Sequence, residues 1–414
     1  MQYYKLVDLC TDIIDCPHST PKWRKDGVRI IRNFNLQNGL IDFSDGYYVD
    51  QDTYLQRIRR ANPEENDIII SREAPMGVVG IVPKRLKCCL GQRLVLLKVN
   101  KRKVNPTYLL FILMSDFVQK QFKRADATGS IVSNLCIPDL KNIIIPIIDG
   151  RQENIARFLS NINRKIILNK TLNDNLREQL KVLYNYWFTQ FNFLDNNGKP
   201  YKNSGGLLKT VEGLSYKIPE HWVVQNLFEN SLSSNIRTGV NPFTTKKYLA
   251  TADVNGVDMQ DGKAINYETR ENRANMQPSL YSVWFAKMKN SIKHMYLNEP
   301  MQGMINNTIL STGFCGLQCS EESFEYVASF IEYSYFETLK DTLAHGATQE
   351  AVNNEDIIKI PFVIPDSRVL SEYHNRTKAI YTQISKNICE NMTLVKIRDW
   401  LLPMLMNGQA TIID

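Results

Sequence analysis

The strongest constraint in this chain is an apolar seam at helical spacing, written twice with the same flaw. It runs from Ile155 through Leu159, Ile162, Ile166, Asn169, Asn173, Leu176, Leu180 and Leu183 to Trp187. Tyr373, Thr377, Ile380, Ile384, Asn387, Asn391, Leu394, Arg398, Leu401 and Leu405 repeat it. Steps of four and three alternate throughout, the spacing that keeps one helix face against a partner helix. Both copies stay in phase with an asparagine pair at the same place, which argues against two unrelated amphipathic surface helices. The second copy is the weaker: Thr377 and Arg398 interrupt the seam, and Pro403 predicts a kink or a stop.

The duplication extends upstream. Ala127–Asp149 ("ATGSIVSNLCIPDLKNIIIPIID") is similar to Ala344–Asp366 ("AHGATQEAVNNEDIIKIPFVIPD"), each predicting a Gly-containing loop, a short buried strand and a proline-bearing exit. Before the first loop, "NDIIISREAPMGVVGIVP" and "CLGQRLVLLKV" predict strands around a Gly/Pro turn, and "PTYLLFILMSDFVQKQFKR" predicts a helix opening at Pro106. "EYVASFIEYSYFETLKDTL" fills the same slot in the second half. The Asn-, Gly-, Ser- and Lys-rich stretch from Thr189 to Gly206 predicts a loop linker. Each half is therefore expected to be a mixed α/β domain followed by a long helix, within 414 residues.

Catalytic signatures are missing. "DGKAIN" lacks the upstream glycine and the following Ser/Thr of a phosphate-binding loop, and "GVVG" is too short for a dinucleotide fingerprint. "NPFT" at 241–244 lacks the second proline of an amino-methylating motif, so a turn is the expectation. The five histidines show no zinc-binding cluster, and Ser130, Ser133 and Asp139 have no Gly-x-Ser-x-Gly elbow. Eight scattered cysteines predict reduced thiols, no metal and a cytoplasmic setting. "MQYYKLVDLC" has no basic start followed by an apolar run, so no secretory leader is expected, and no run of about eighteen apolar residues predicts a membrane span. A net charge of +7 fits a protein that neutralises a few phosphates. The chain is expected to bind rather than catalyse.

Leu180–Gly206 followed by "IPEHWVV" (Ile218–Val224) closely resembles the central region of type I restriction–modification specificity subunits. "LVKIRDWLLPMLMNGQ" (Leu394–Gln409) is similar to the end of that family, and "SREAPMGVVGIV", "CLGQRLVLLKV" and "HGATQEAV" resemble pieces of its target-recognition domains. Two departures stand out: Gly-Ser-Ile-Val at 129–132 where the second copy has Gly-Ala-Thr-Gln at 346–349, and no clear Leu-Gly-Gln-Arg in the second copy. The resemblance implies an α+β chain with a pseudo-two-fold internal repeat, in which two similar mixed α/β target-recognition domains are separated by an antiparallel coiled coil of two long helices. The expected bounds are 1–150 and 219–366 for the domains, 151–190 and 367–410 for the spacer helices, and 191–218 for the linker. It further implies a non-catalytic reader of a split double-stranded DNA site, on which two methyltransferase subunits dock and which nuclease/translocase subunits join. S-adenosylmethionine is expected on the methyltransferase subunits, with no cofactor on this chain.

A helix from Arg151 to Trp187 would span roughly 55 Å, at about 1.5 Å per residue, an upper bound near 16 base pairs at about 3.4 Å each. Candidate DNA contacts in the first domain are Lys22, Arg24 and Lys25 around Trp23, then Arg29, Arg32, Asn33, Arg72, Lys84, Arg85, Arg93 and Ser130. In the second they are Arg237, Lys246, Lys247, Arg270, Arg273, Thr348 and Gln349. Arg and Lys clamp phosphates, while Arg, Asn and Gln read purine edges in pairs of hydrogen bonds. Antiparallel helices with aligned centres would set Asn169 by Asn391 and Asn173 by Asn387, four amides that fix the register. Two other readings stay open: a stand-alone DNA-binding scaffold, recognised by a stable lone homodimer, and an adenine methyltransferase, recognised by S-adenosylmethionine binding to the isolated chain.

Overall fold

The computed structural model describes every residue except 44–45, 74, 127–133, 149, 347–349 and 413–414. The chain is α+β and divides into two units, Met1–Arg164 with Val395–Asp414, and Lys165–Leu394.

In the first unit a four-stranded antiparallel sheet runs in the order Cys10–Asp15, Leu94–Val99, Ile68–Ser71, Val79–Ile81. Its two central strands are buried on both faces, which explains their unbroken apolar runs. The pleat alternates side chains between faces. Ile68, Ile70, Val95 and Leu97 thus join one core with the helix Pro106–Met114, while Ile69, Leu94 and Leu96 join another with Ile31, Cys88 and Leu90. The helix starts as the sequence predicts, with Pro106 in its first turn and Asn105 accepting from the Tyr108 amide at 3.0 Å. On the second face lies a small sheet in which Val28–Ile31 pairs parallel with Cys88–Leu90 and antiparallel with Tyr48–Val49. Ile155, Leu159, Leu402 and Leu405 close the first core, so both long helices contribute to this unit.

The second unit repeats that topology. Its antiparallel sheet runs Ser233–Asn235, Phe314–Cys319, Ser282–Ala286, His294–Leu297. Lys246–Leu249 pairs parallel with Thr308–Ser311, as Val28–Ile31 does with Cys88–Leu90. Val223–Asn226 pairs with Pro361–Ile364, as Gln2–Lys5 does with Ile144–Ile147. The stretch expected as a loop linker is packed instead. Phe193 stacks on Trp222 at 5.0 Å and on Tyr201 at 4.8 Å, and Leu208–Lys209 pairs with Ile218–Pro219. Its polar composition hides two buried rings, Phe191 and Phe193.

The long helices are Gln152–Tyr184, continued by a π-helical turn over Asn185–Thr189, and Ser367–Met406. The second passes through Pro403 without stopping. Proline removes one amide donor, and three residues from the end few hydrogen bonds remain to lose. Inside the second unit the helices run antiparallel and their four asparagines meet. Asn169 Nδ2 donates to Asn391 Oδ1 at 2.9 Å, and Asn387 Nδ2 to Asn173 Oδ1 at 2.7 Å. The remaining amides cap the neighbouring turns: Asn173 Nδ2 donates to the Ile384 carbonyl and Asn391 Nδ2 to the Ile166 carbonyl, both at 3.3 Å. Each bond has its mirror on the other helix, a local two-fold arrangement. Farther along, Trp187 meets Tyr373 with ring centroids 5.7 Å apart. The two seam interruptions are satisfied locally. Thr377 Oγ1 donates to the Tyr373 carbonyl at 2.7 Å. In the first unit, buried Arg398 donates to Asn163 Oδ1 at 3.1 Å and Asn38 Oδ1 at 3.3 Å, so its partner is Asn163 and not the apolar Ile162 beside it.

One charged network is buried in the second unit. His294 shares hydrogens with Glu332 at 3.3 Å and Glu337 at 2.8 Å, Glu332 also pairs with Arg177 and accepts from Tyr296, and Glu337 pairs with Lys340 at 2.6 Å. Buried charges persist only when paired like this.

Candidate nucleic-acid interface

Arg24, Arg29 and Arg32 of the first unit lie in or beside the small parallel-paired sheet. The loop that carries Lys22, Trp23, Arg24 and Lys25 leaves the strand Cys10–Asp15 and is pinned from inside by Arg57, on the helix Gln51–Ile58. The guanidinium of Arg57 is buried and donates to three carbonyls: Leu90 at 2.7 Å, Ser19 at 3.1 Å and Pro17 at 3.1 Å. Gln92 adds a bond to Thr20 Oγ1 at 2.9 Å and another to the His18 carbonyl. The "CPHST" loop is thus held to the turn built by "LGQR". Asp50 caps the Gln51–Ile58 helix, accepting from the Thr53 amide at 2.9 Å, and pairs with Arg24 at 3.1 Å. Those hydrogen bonds from Thr53, with Arg24 beside it, hold the Asp50 carboxyl down at about 2.

Aromatic rings organise the cations. The Arg32 guanidinium lies over Trp23 at 5.0 Å, Phe34 at 4.6 Å and Tyr47 at 4.7 Å. Arg29 lies over Phe43 at 5.0 Å and Tyr48 at 5.5 Å and donates to the Phe43 carbonyl at 3.3 Å. Stacking of this kind fixes a flexible side chain without neutralising it. Asn33 Nδ2 reaches the Glu73 carbonyl at 3.5 Å, and Arg93 pairs with the Glu73 carboxylate at 3.1 Å. Lys22, Lys25, Lys84 and Arg85 are exposed. Arg72 is different: its Nε, Nη1 and Nη2 donate to the Leu135 carbonyl at 3.0 Å, Asp15 at 2.9 Å and Asn134 at 3.1 Å. That arginine braces the fold.

The second unit builds a comparable cluster beside Lys246–Leu249. Arg270 lies over Tyr267 at 4.0 Å and donates to its carbonyl at 2.6 Å, and Tyr267 meets Phe243 edge-on at 5.8 Å. Lys246 sits over Phe243 at 5.8 Å, with its pKa lowered by partial burial. Lys247 pairs with Asp261 at 3.1 Å, and Arg237 and Arg273 are exposed. Ser130, Thr348 and Gln349 lie outside the described residues. The residues that sequence reasoning missed are the rings Phe34, Phe43, Tyr47, Tyr48, Phe243 and Tyr267. Only the Tyr267–Arg270 spacing carried a local signal.

Among the described residues no His, Cys, Asp and Glu cluster could hold a metal ion, and no helix is long and apolar enough to cross a membrane. Burial pushes the Cys315 thiol up to about 12, which leaves it a poor nucleophile. The arrangement offers fixed cations, rings and amides, the groups that clamp phosphates and read base edges.

Residues 2–178 match the model of the type I restriction modification DNA specificity domain. The chain is 26% identical over 406 residues to a putative type I restriction enzyme MjaX specificity subunit of Methanocaldococcus jannaschii, covering 95% of this chain and 90% of that one. It is 24% identical over 367 residues to the type I restriction enzyme MjaIX specificity subunit of the same organism, covering 83% and 78%. A crystal structure of the S subunit of a type I restriction-modification system from M. genitalium covers 98% of this chain and 95% of its own, at 14% identity and a TM-score of 0.49.

Proposed function

We propose that this chain, whose residues 2–178 match the model of the type I restriction modification DNA specificity domain, is the sequence-reading subunit of a type I restriction–modification complex. In this reading residues 1–150 and 219–366 each recognise one half of a split double-stranded DNA site. The helices at 151–190 and 367–410 space the halves and carry two methyltransferase subunits, which nuclease/translocase subunits join. The chain supplies recognition and no chemistry of its own, and S-adenosylmethionine binds to the methyltransferase subunits.

The observation that carries this reading is the duplication. Both units pair a basic strand in parallel beside an antiparallel sheet, and both set cations over aromatic rings there. Two like readers on one chain suit a two-part DNA site. The test is to map methylated bases genome-wide in cells with the methyltransferase partner, with and without this chain. A split motif that depends on the chain is the expected result, and absence of any chain-dependent motif would refute the reading.

A further inference from the structure

Among the arginines around the small sheet of the first unit, Arg59 and Arg85 stand exposed to solvent, and of the others one stands apart. Arg24 pairs with Asp50, Arg29 donates to the Phe43 carbonyl, Arg57 to three carbonyls, Arg72 to three acceptors, and Arg93 to Glu73. Arg32 is half-buried, and its guanidinium nitrogens find no acceptor among the described residues. Every other part of it is held. Three rings lie within 5.0 Å of the guanidinium carbon. Its backbone amide donates to Asn35 Oδ1 at 2.9 Å. Its stem crosses Gly91, where an added Cβ would stand 3.2 Å from Arg32 Cγ and 2.9 Å from the Ile31 carbonyl oxygen.

A planar cation so clamped has few rotamers left to lose, and its N–H edge is a preset fork. The three rings pack around it but supply no hydrogen-bond acceptor. We propose that Arg32 is a specificity-determining residue that reads a guanine in the half-site bound by the first unit, through paired hydrogen bonds to the guanine O6 and N7. This rests on the DNA-reading role proposed above and adds the base and the residue. A phosphate would also accept from the fork, but phosphate contacts are commonly made by exposed cations such as Lys22 and Lys25. A rigid, partly desolvated fork favours the planar acceptor pair of guanine.

The test uses the full chain with its methyltransferase partner. Methylated positions are mapped for wild type, Arg32→Lys and Arg32→Gln, and each purified complex is titrated with duplexes carrying the motif and its single-base variants. The wild-type motif should contain a guanine whose replacement weakens binding. Arg32→Lys keeps the charge over the rings and loses the fork, so preference at that one position should fall on the order of 5- to 150-fold. The other half of the motif should stay unchanged. Tyr47→Leu, which loosens the clamp, should relax the same position to a smaller degree. An unchanged Arg32→Lys motif, with Arg32→Gln weakening all sequences alike, would mark a phosphate contact and overturn the proposal. Relaxation of both halves together by Arg32→Lys would mark a structural role and overturn it as well. If wild type yields no chain-dependent motif, the DNA-reading role itself falls and takes this inference with it.

Discussion

Arg57 shows how a buried charge can organise an exposed surface. Burial depresses its pKa, a sign that desolvation offsets part of what its hydrogen bonds contribute. Even so, Arg57→Met would strand three carbonyls that now accept from it. Urea denaturation should find the variant less stable by about 2–3 kcal/mol, with weaker DNA binding as the "CPHST" loop comes loose. His294 makes a second residue-scale prediction. Burial alone would pull its pKa down, but hydrogen bonds to Glu332 and Glu337 raise it above the ordinary 6.5. Burial would raise Glu332, yet His294 and Arg177 bring it down to about 2. The sign follows for each group. The raised imidazole stabilises the fold below its unfolded pKa, and that contribution fades as pH rises through the folded value. The lowered carboxyl stabilises above its ordinary 4.5 and fades as pH falls toward about 2. Urea midpoints should therefore be higher at pH 6 than at pH 9, and His294→Gln should flatten that difference. Single residues were the least legible part of the sequence. Composition marks Arg32, Arg57 and Arg72 alike as cations. Only the fold separates a caged fork, a buried clamp and a surface brace, because each role depends on neighbours brought in from distant segments.

The helices were far more legible, since a seam of threes and fours is a local property. Strands were legible where apolar runs met Gly/Pro turns, as in Ile68–Ser71 and Leu94–Val99. Periodicity was silent where a polar residue takes a seam position, because it cannot say what answers Arg398. Nor could it see Phe193 stacking on Trp222 inside a polar stretch. The asparagine quartet tests what the helix pair is built for. All four side chains are buried, and each amide is answered. Asn173→Leu alone leaves the Asn387 amide without its acceptor and should cost about 1–3 kcal/mol in chemical denaturation. Replacing all four by leucine removes the unpaired groups and should restore or exceed wild-type stability. The loss should then appear in register, because an all-leucine seam packs almost as well one heptad away. Spin labels at Leu168 and Lys386, both exposed, should give one narrow distance in wild type and a broad or double distribution in the quadruple variant. A narrow, unchanged distance would show that the asparagines do not set the register.

For the molecule as a whole, the duplication was legible because two copies of one pattern are visible without knowing what either does. It also predicts how affinity is built. Binding driven by phosphate neutralisation loses strength with salt, by a slope of about 0.9 for each phosphate contacted. Lys22 and Lys25 in the first unit, and Arg237 and Arg273 in the second, are exposed cations suited to that work. Lys22→Gln with Lys25→Gln should lower the salt slope by about two, and Arg237→Gln with Arg273→Gln by a similar amount. The two pairs stand on different units, so their effects should add in the quadruple variant. Fluorescence anisotropy across a range of salt concentrations reads the slope directly. The methylated motif should stay the same in all three variants, because phosphate contacts hold the duplex without reading it. A slope that fell for only one pair would mean that only one unit grips DNA, and the two-reader account would then have to give way to a single reader with a duplicated scaffold.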